Sequence, residues 1–229
     1  MMKRRLEELK ERICSACERS KRNPDGVQLV LVTKEVSVER IKEAYDLGMR
    51  DFGENRVQEL VEKQRQLPQD VRWHFIGHLQ TNKVKAVVGN VVLIHSLDRL
   101  RLADEIQKQA VKNKQTQAVL IQVNVAREGT KYGFDPKAVE EAVSYITSDC
   151  DRLNLCGLMA IGPNTEDSKR IHSSFHELFI LRDQLRKRFP RSDWEYLSMG
   201  MSADFELAIE EGANMLRLGS AVFGPREKR

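Results

Sequence analysis

Between residues 27 and 218 the sequence alternates, eight times, a short run of apolar residues with a longer stretch whose apolar positions recur at helical spacing. Few architectures accommodate that pattern. Short strands hidden on both faces and joined through helices are the mark of a parallel sheet, because each crossover returns the chain to the same edge. The strands are expected at 27–33, 50–53, 72–76, 91–95, 118–123, 155–160, 194–197 and 215–218. Helix signals fill the gaps: Ser37 as a cap and Gly48 as a stop, Pro68 closing a helix over 55–66, Gly89 ending one over 79–88, Asp98 capping one to about 112, Asp135-Pro136 opening another, and a long helix over 167–188. Ser202 is placed to cap a last helix over 203–211, with Gly212 after it.

Eight βα units in about 200 residues, with no composition break between them, predict a single-domain α/β chain over 1–229: a (β/α)8 TIM barrel. A helix over 3–22, with its narrow stripe of Leu6, Leu9 and Ile13, leads into it. An open doubly wound sheet is disfavoured, because the first βα turn lacks the G-x-G-x-x-G fingerprint.

Composition removes several classes of function. No run of about 18 apolar residues exists to cross a membrane, and the Met-Met-Lys-Arg-Arg start leads into a charged helix rather than a signal core, so a cytoplasmic protein is expected. The net charge of +4 is spread among 34 acids, and only 6% of residues are aromatic, which argues against nucleic acid as partner. Cys14, Cys17, Cys150 and Cys156 read as reduced structural thiols. The first pair lies in a helical pattern, the second pair has the wrong gap for zinc, and no metal is expected.

In a barrel of this kind chemistry belongs to the carboxyl ends of the strands and the loops after them. Lys34 ends the first apolar strand, where desolvation favours a neutral amine able to attack a carbonyl. The loops after the seventh and eighth strands, Ser198-Met-Gly-Met-Ser202 and Leu218-Gly219-Ser220, are the usual places for a phosphate. An amine with a phosphate cradle fits pyridoxal 5′-phosphate (PLP), with Arg217 as candidate partner for its ring nitrogen, but barrel aldolases also use lysines and phosphate loops. His78 faces the mouth as either a structural group or a ligand contact. His172 and His176 lack the glutamate of H-E-x-x-H.

Longer motifs narrow this. Val32-Thr33-Lys34, Phe52-Gly53-Glu54-Asn55-Arg56, Trp73-His74-Phe75-Ile76-Gly77-His78, Lys131-Tyr132-Gly133-Phe134, Leu197 through Ser202 and Arg217 through Gly224 resemble the pyridoxal phosphate homeostasis proteins, related to the barrel domain of alanine racemase. The resemblance runs from about residue 4 to the C-terminus. It implies a barrel that binds PLP, keeps the free cofactor low and delivers it to PLP-dependent apo-enzymes, without established turnover; a monomer is expected. By resemblance, Lys34 matches the lysine that forms the aldimine and Arg217 the residue at the pyridine nitrogen. Ser198, Ser202, Gly219 and Ser220 fall in the phosphate loops, and Asn55 lies near the ring. The sequence departs from many relatives at Glu35-Val36-Ser37, where they carry Thr-Lys-Pro, and at Ser220, where they carry threonine. The rival function is a PLP-dependent racemase. It would need a second base, which alanine racemases draw from a further β domain that is not expected after the eighth strand here.

Overall fold

A computed structural model describes residues 1–129 and 131–225. Eight parallel strands close into a barrel in chain order, with the last pairing with the first: β1 (Gln28–Val32), β2 (Asp51–Glu54), β3 (Arg72–Phe75), β4 (Leu93–Leu97), β5 (Gln117–Gln122), β6 (Leu153–Met159), β7 (Tyr196–Ser198) and β8 (Met215–Leu218). Helix α1 (Met2–Arg19) precedes them. Helices α2 (Val38–Asp46), α3 (Val57–Gln64), α4 (Leu100–Lys112), α5 (Val139–Asp149), α6 (Ser168–Arg188) and α7 (Phe205–Glu210) lie between strands, and a one-turn α8 (Ser220–Phe223) follows β8. The expected (β/α)8 barrel with its leading helix is what forms.

Inside each strand neighbouring residues divide between two environments, as the pleat requires. Leu31, Phe52, Trp73, Phe75, Ile94, Val119, Ile121, Leu158, Leu197, Leu216 and Leu218 join the large apolar layer shared with the helices. Val30, Leu93, Leu120, Cys156, Met159 and Met215 form a second, smaller cluster. Between the residues of the first set stand Asp51, His74, His95, Ser198 and Arg217, all buried. At ~25 cal/mol per Å² the apolar layer is the main stabilising contribution, whereas buried polar groups need partners merely to break even. Helix α1 docks by the predicted stripe, with Leu6, Leu9 and Ile13 all buried. Its ion pairs to α7, Arg12–Glu206 and Arg19–Glu210 at 2.8 Å each, are part-exposed and add at most about 1 kcal/mol apiece.

Two glycines are demanded by the backbone. Gly157 sits at φ +140° where β6 bulges against β5, and a Cβ there would lie 1.9 Å from the Tyr196 carbonyl oxygen. Gly200, at φ +94°, lets the loop after β7 fold onto α7, where a Cβ would lie 2.7 Å from that of Ala208.

Four local expectations differ. The segment expected as a helix over 79–88 is a 3₁₀ turn, Thr81–Ala86, in which only Val84 is buried; one apolar contact does not hold a full α-helical stripe. Strand β4 starts two residues late, and Asp98 does not cap α4: Arg99 holds that position, because the Asp98 carboxylate turns back to His78 and to the Arg99 guanidinium. Ser202 does not cap α7 either. Asp204 stands there, and the Ser202 hydroxyl accepts the Ala221 N–H of α8 at 3.2 Å.

Candidate functional site at the barrel mouth

The carboxyl ends of β8, β1 and β2 adjoin, since Leu31 pairs with Leu218 and Val32 with Gly53. Lys34, Asn55 and Gly219 therefore leave the barrel on one sector of its rim. Lys34 is half-buried in the turn after β1. Its backbone is gripped on both sides. The Thr33 N–H donates to the Gly53 carbonyl at 2.9 Å and the Thr33 hydroxyl to Glu54 Oε1 at 2.6 Å. The Lys63 ammonium on α3 donates to the Thr33 carbonyl at 2.8 Å, to Glu54 at 2.7 Å and to Glu59 at 2.9 Å. Beyond Lys34, the Glu35 N–H reaches Glu59 Oε2 at 2.9 Å, in a left-handed residue at φ +61°. Burial pushes the Glu54 carboxyl upward, against the pull of Lys63 and Thr33.

Two acceptors at this end of β2, Glu54 Oε2 and Asn55 Oδ1, are buried with no hydrogen-bond partner among the described residues. Such atoms cost roughly 1–3 kcal/mol each when left unmet, so they mark a place where a ligand or solvent belongs.

Arg217 is 4% exposed. One guanidinium nitrogen donates to Ser198 Oγ at 2.7 Å and the other to the Ala160 carbonyl at 2.8 Å, which uses two of its five donors. Burial lowers its pKa to about 10, with Asp204 acting in the opposite direction, so the group stays charged at neutral pH. Burial also raises the Asp204 carboxyl. The Ser198 hydroxyl is 3.0 Å from His95 Nδ1 and wholly enclosed, so it is engaged inside the barrel.

The two small-residue loops face the rim differently. Ser202 is half-buried and ties the loop after β7 to α8, while Ser220 is exposed at the first position of α8. Gly219 approaches β1 so closely that a Cβ would lie 3.2 Å from the Val32 carbonyl oxygen. His78 is held by Asp98 at 2.7 Å and stacked on the Tyr132 ring at 3.7 Å, so its orientation is fixed by neighbouring loops. The four cysteines are free thiols; burial pushes Cys150 and Cys156 up to about 11, far from the reactive thiolate range. His172 and His176 share Glu211, and no cluster suited to a metal occurs among the described residues.

Sequence reasoning missed the Glu54–Lys63–Glu59 clamp and the buried histidines. Their signal was a polar residue between apolar neighbours in a doubly buried strand, as in Trp73-His74-Phe75 and Leu216-Arg217-Leu218.

This barrel is of the alanine racemase N-terminal domain class, whose family model matches residues 5–227. An alanine racemase of Clostridium difficile shares the fold at a TM-score of 0.73 and 13% identity, with 94% of this chain and 56% of that one covered. Far nearer is the pyridoxal phosphate homeostasis protein of Aquifex aeolicus, 48% identical with 97% of each chain covered; the human protein of that name is 37% identical over 97% of this chain and 86% of its own. PipY of Synechococcus elongatus, solved with PLP bound, superposes at a TM-score of 0.85 with 32% identity, 98% of this chain and 100% of that chain covered. The chain belongs to the pyridoxal phosphate homeostasis protein family.

Proposed function

We propose that this protein binds PLP at the barrel mouth and serves cofactor homeostasis, storing PLP and handing it to apo-enzymes, as a single-domain cytoplasmic monomer without turnover of its own. The observation that carries the reading is the PLP-bound relative, which matches this chain from end to end at 32% identity. The residues fit such a guest. Asn55 Oδ1 is a buried acceptor without a partner among the described residues, and Arg217 has donors beyond the two that bond Ser198 and the Ala160 carbonyl. When bound, the cofactor supplies an aldehyde with which an amine condenses.

Lys34 is the residue proposed to hold that aldehyde. Its backbone clamp supports the assignment, since a flexible lysine fixed at both flanking peptides loses less freedom on binding. The loops carrying Gly219, Ser220 and Ser202 are proposed to receive the phosphate, where their hydroxyls and N–H groups act as donors. Asn55 is assigned to the edge of the ring. Ser198 is assigned a place behind Arg217, not at the phosphate. Arg217 donates toward the ring nitrogen. A cation there disfavours ring protonation, which lowers the cofactor's capacity as an electron sink and supports a carrier over an enzyme.

The test is titration of the protein with PLP, followed by borohydride reduction and peptide mapping. The expected result is a visible absorbance band and a pyridoxyl group on Lys34, with Lys34→Ala losing the band. No band with the wild-type protein, or labelling of a different lysine, overturns the proposal.

A further inference from the structure

The polar residues inside the barrel form one connected line. Arg217 at the mouth donates to Ser198 Oγ at 2.7 Å; Ser198 Oγ lies 3.0 Å from His95 Nδ1; His95 Nε2 lies 3.0 Å from His74 Nδ1; and His74 Nε2 lies 3.0 Å from Asp51 Oδ1 at the opposite end of the barrel. Five strands supply one residue each: β8, β7, β4, β3 and β2. The floor end is anchored, as Asp51 also accepts from the Gln28 amide at 3.0 Å and from Arg72.

The proton count along this line has a single solution that leaves both imidazoles neutral. Arginine only donates, so Ser198 Oγ accepts from it and turns its own hydrogen to His95 Nδ1. That nitrogen is then bare, and the His95 proton sits on Nε2, pointing at His74 Nδ1. His74 in turn carries its proton on Nε2, pointing at a carboxylate, which only accepts. Every donor meets an acceptor in one direction, from the cation at the mouth to the anion at the floor. A charged His95 would place a second cation near Arg217 in a fully enclosed space, and burial, His74 and Arg217 all hold its pKa well below the ordinary value. The groups facing His95 are His74 on β3, Ser198 on β7 and Arg217 on β8. Those facing His74 are Asp51 on β2 and His95 on β4.

We infer that His74 and His95 are positioning residues for Arg217: the line Arg217–Ser198–His95–His74–Asp51 is a one-way hydrogen-bond relay that locks both rings as Nε2–H tautomers and fixes the guanidinium with its remaining donors toward the mouth. A ligand ring is then met by a donor that cannot turn into an acceptor. The relay selects rings that present a bare nitrogen and disfavours those that present N–H or N-methyl. The ligand half of this inference rests on the proposed place of Arg217 at the PLP ring; the relay itself does not.

Two measurements separate those halves. In the ligand-free protein, nitrogen NMR of ¹⁵N-histidine, assigned with His74→Gln and His95→Gln, is expected to show both buried rings neutral at pH 7.5 with the proton on Nε2. A proton on Nδ1 of either ring, or a charged ring, overturns the relay. Ser198→Ala, checked for an unchanged fold by circular dichroism, is expected to unlock the His95 tautomer, weaken PLP by about threefold to tenfold and shift the visible band. If the tautomers are as stated but affinity and band are unmoved by Ser198→Ala, the relay stands and the placement of Arg217 at the ring is wrong.

Discussion

The apolar layer outside the barrel and the line of polar residues inside it are built from alternate residues of the same strands, yet they work under opposite rules. Outside, Phe52 packs against Trp73 with ring centroids 6.1 Å apart, and any side chain of similar volume would do much the same. Inside, replacing one group strands its neighbours, because His95 Nδ1 and the Arg217 guanidinium each depend on the Ser198 hydroxyl. The layer holds the barrel closed. The line decides what the mouth can recognise.

Phe52→Ala is the largest expected break on the outer side. Its ring is fully buried, and truncation should cost about 3–5 kcal/mol in urea unfolding. The histidine tautomers should stay as in the wild type below the unfolding transition. A tautomer change in Phe52→Ala would mean that the two regions are not separable.

A smaller effect sharpens the inner side. His95 stays neutral in the fold because its pKa is held well below the ordinary 6.5, while the unfolded chain takes up that proton near 6.5. Over the pH range below 6.5 and above the folded pKa, the unfolded state binds more protons. Stability therefore falls as pH falls, by up to about 1.4 kcal/mol per pH unit for this group. Urea midpoints between pH 7.5 and 5.5 should decline, and His95→Gln should flatten the decline. Equal slopes for the two proteins would show that His95 is not held neutral by its burial.

Much of the first region was legible from the sequence, since alternating strand and helix signals over 27–218 specify a barrel whatever the partners are. The places of Lys34, Arg217 and the small-residue loops toward the carboxyl ends of their strands were legible too, because that position is a local property. The relay was not. His95 and Ser198 are 103 residues apart, and alternation tells which face a residue takes, not whom it meets across the interior. Ser202 and Asp98 were misread as caps for a related reason: both hydrogen-bond to a neighbouring βα unit, and that competition is invisible along one chain segment.

The central functional claim is that the mouth holds its cofactor chemically quiet. Arg217, charged at neutral pH and buried against the proposed ring position, is the residue on which that rests. The direct measurement is to incubate PLP-loaded protein with L- and D-amino acids in deuterated water and follow the α-position and keto-acid formation. Exchange far below ordinary enzyme rates, with no keto acid, is the predicted result; α-deuterium incorporation or keto-acid formation on the order of 1 per second or faster would contradict it and make the protein an enzyme.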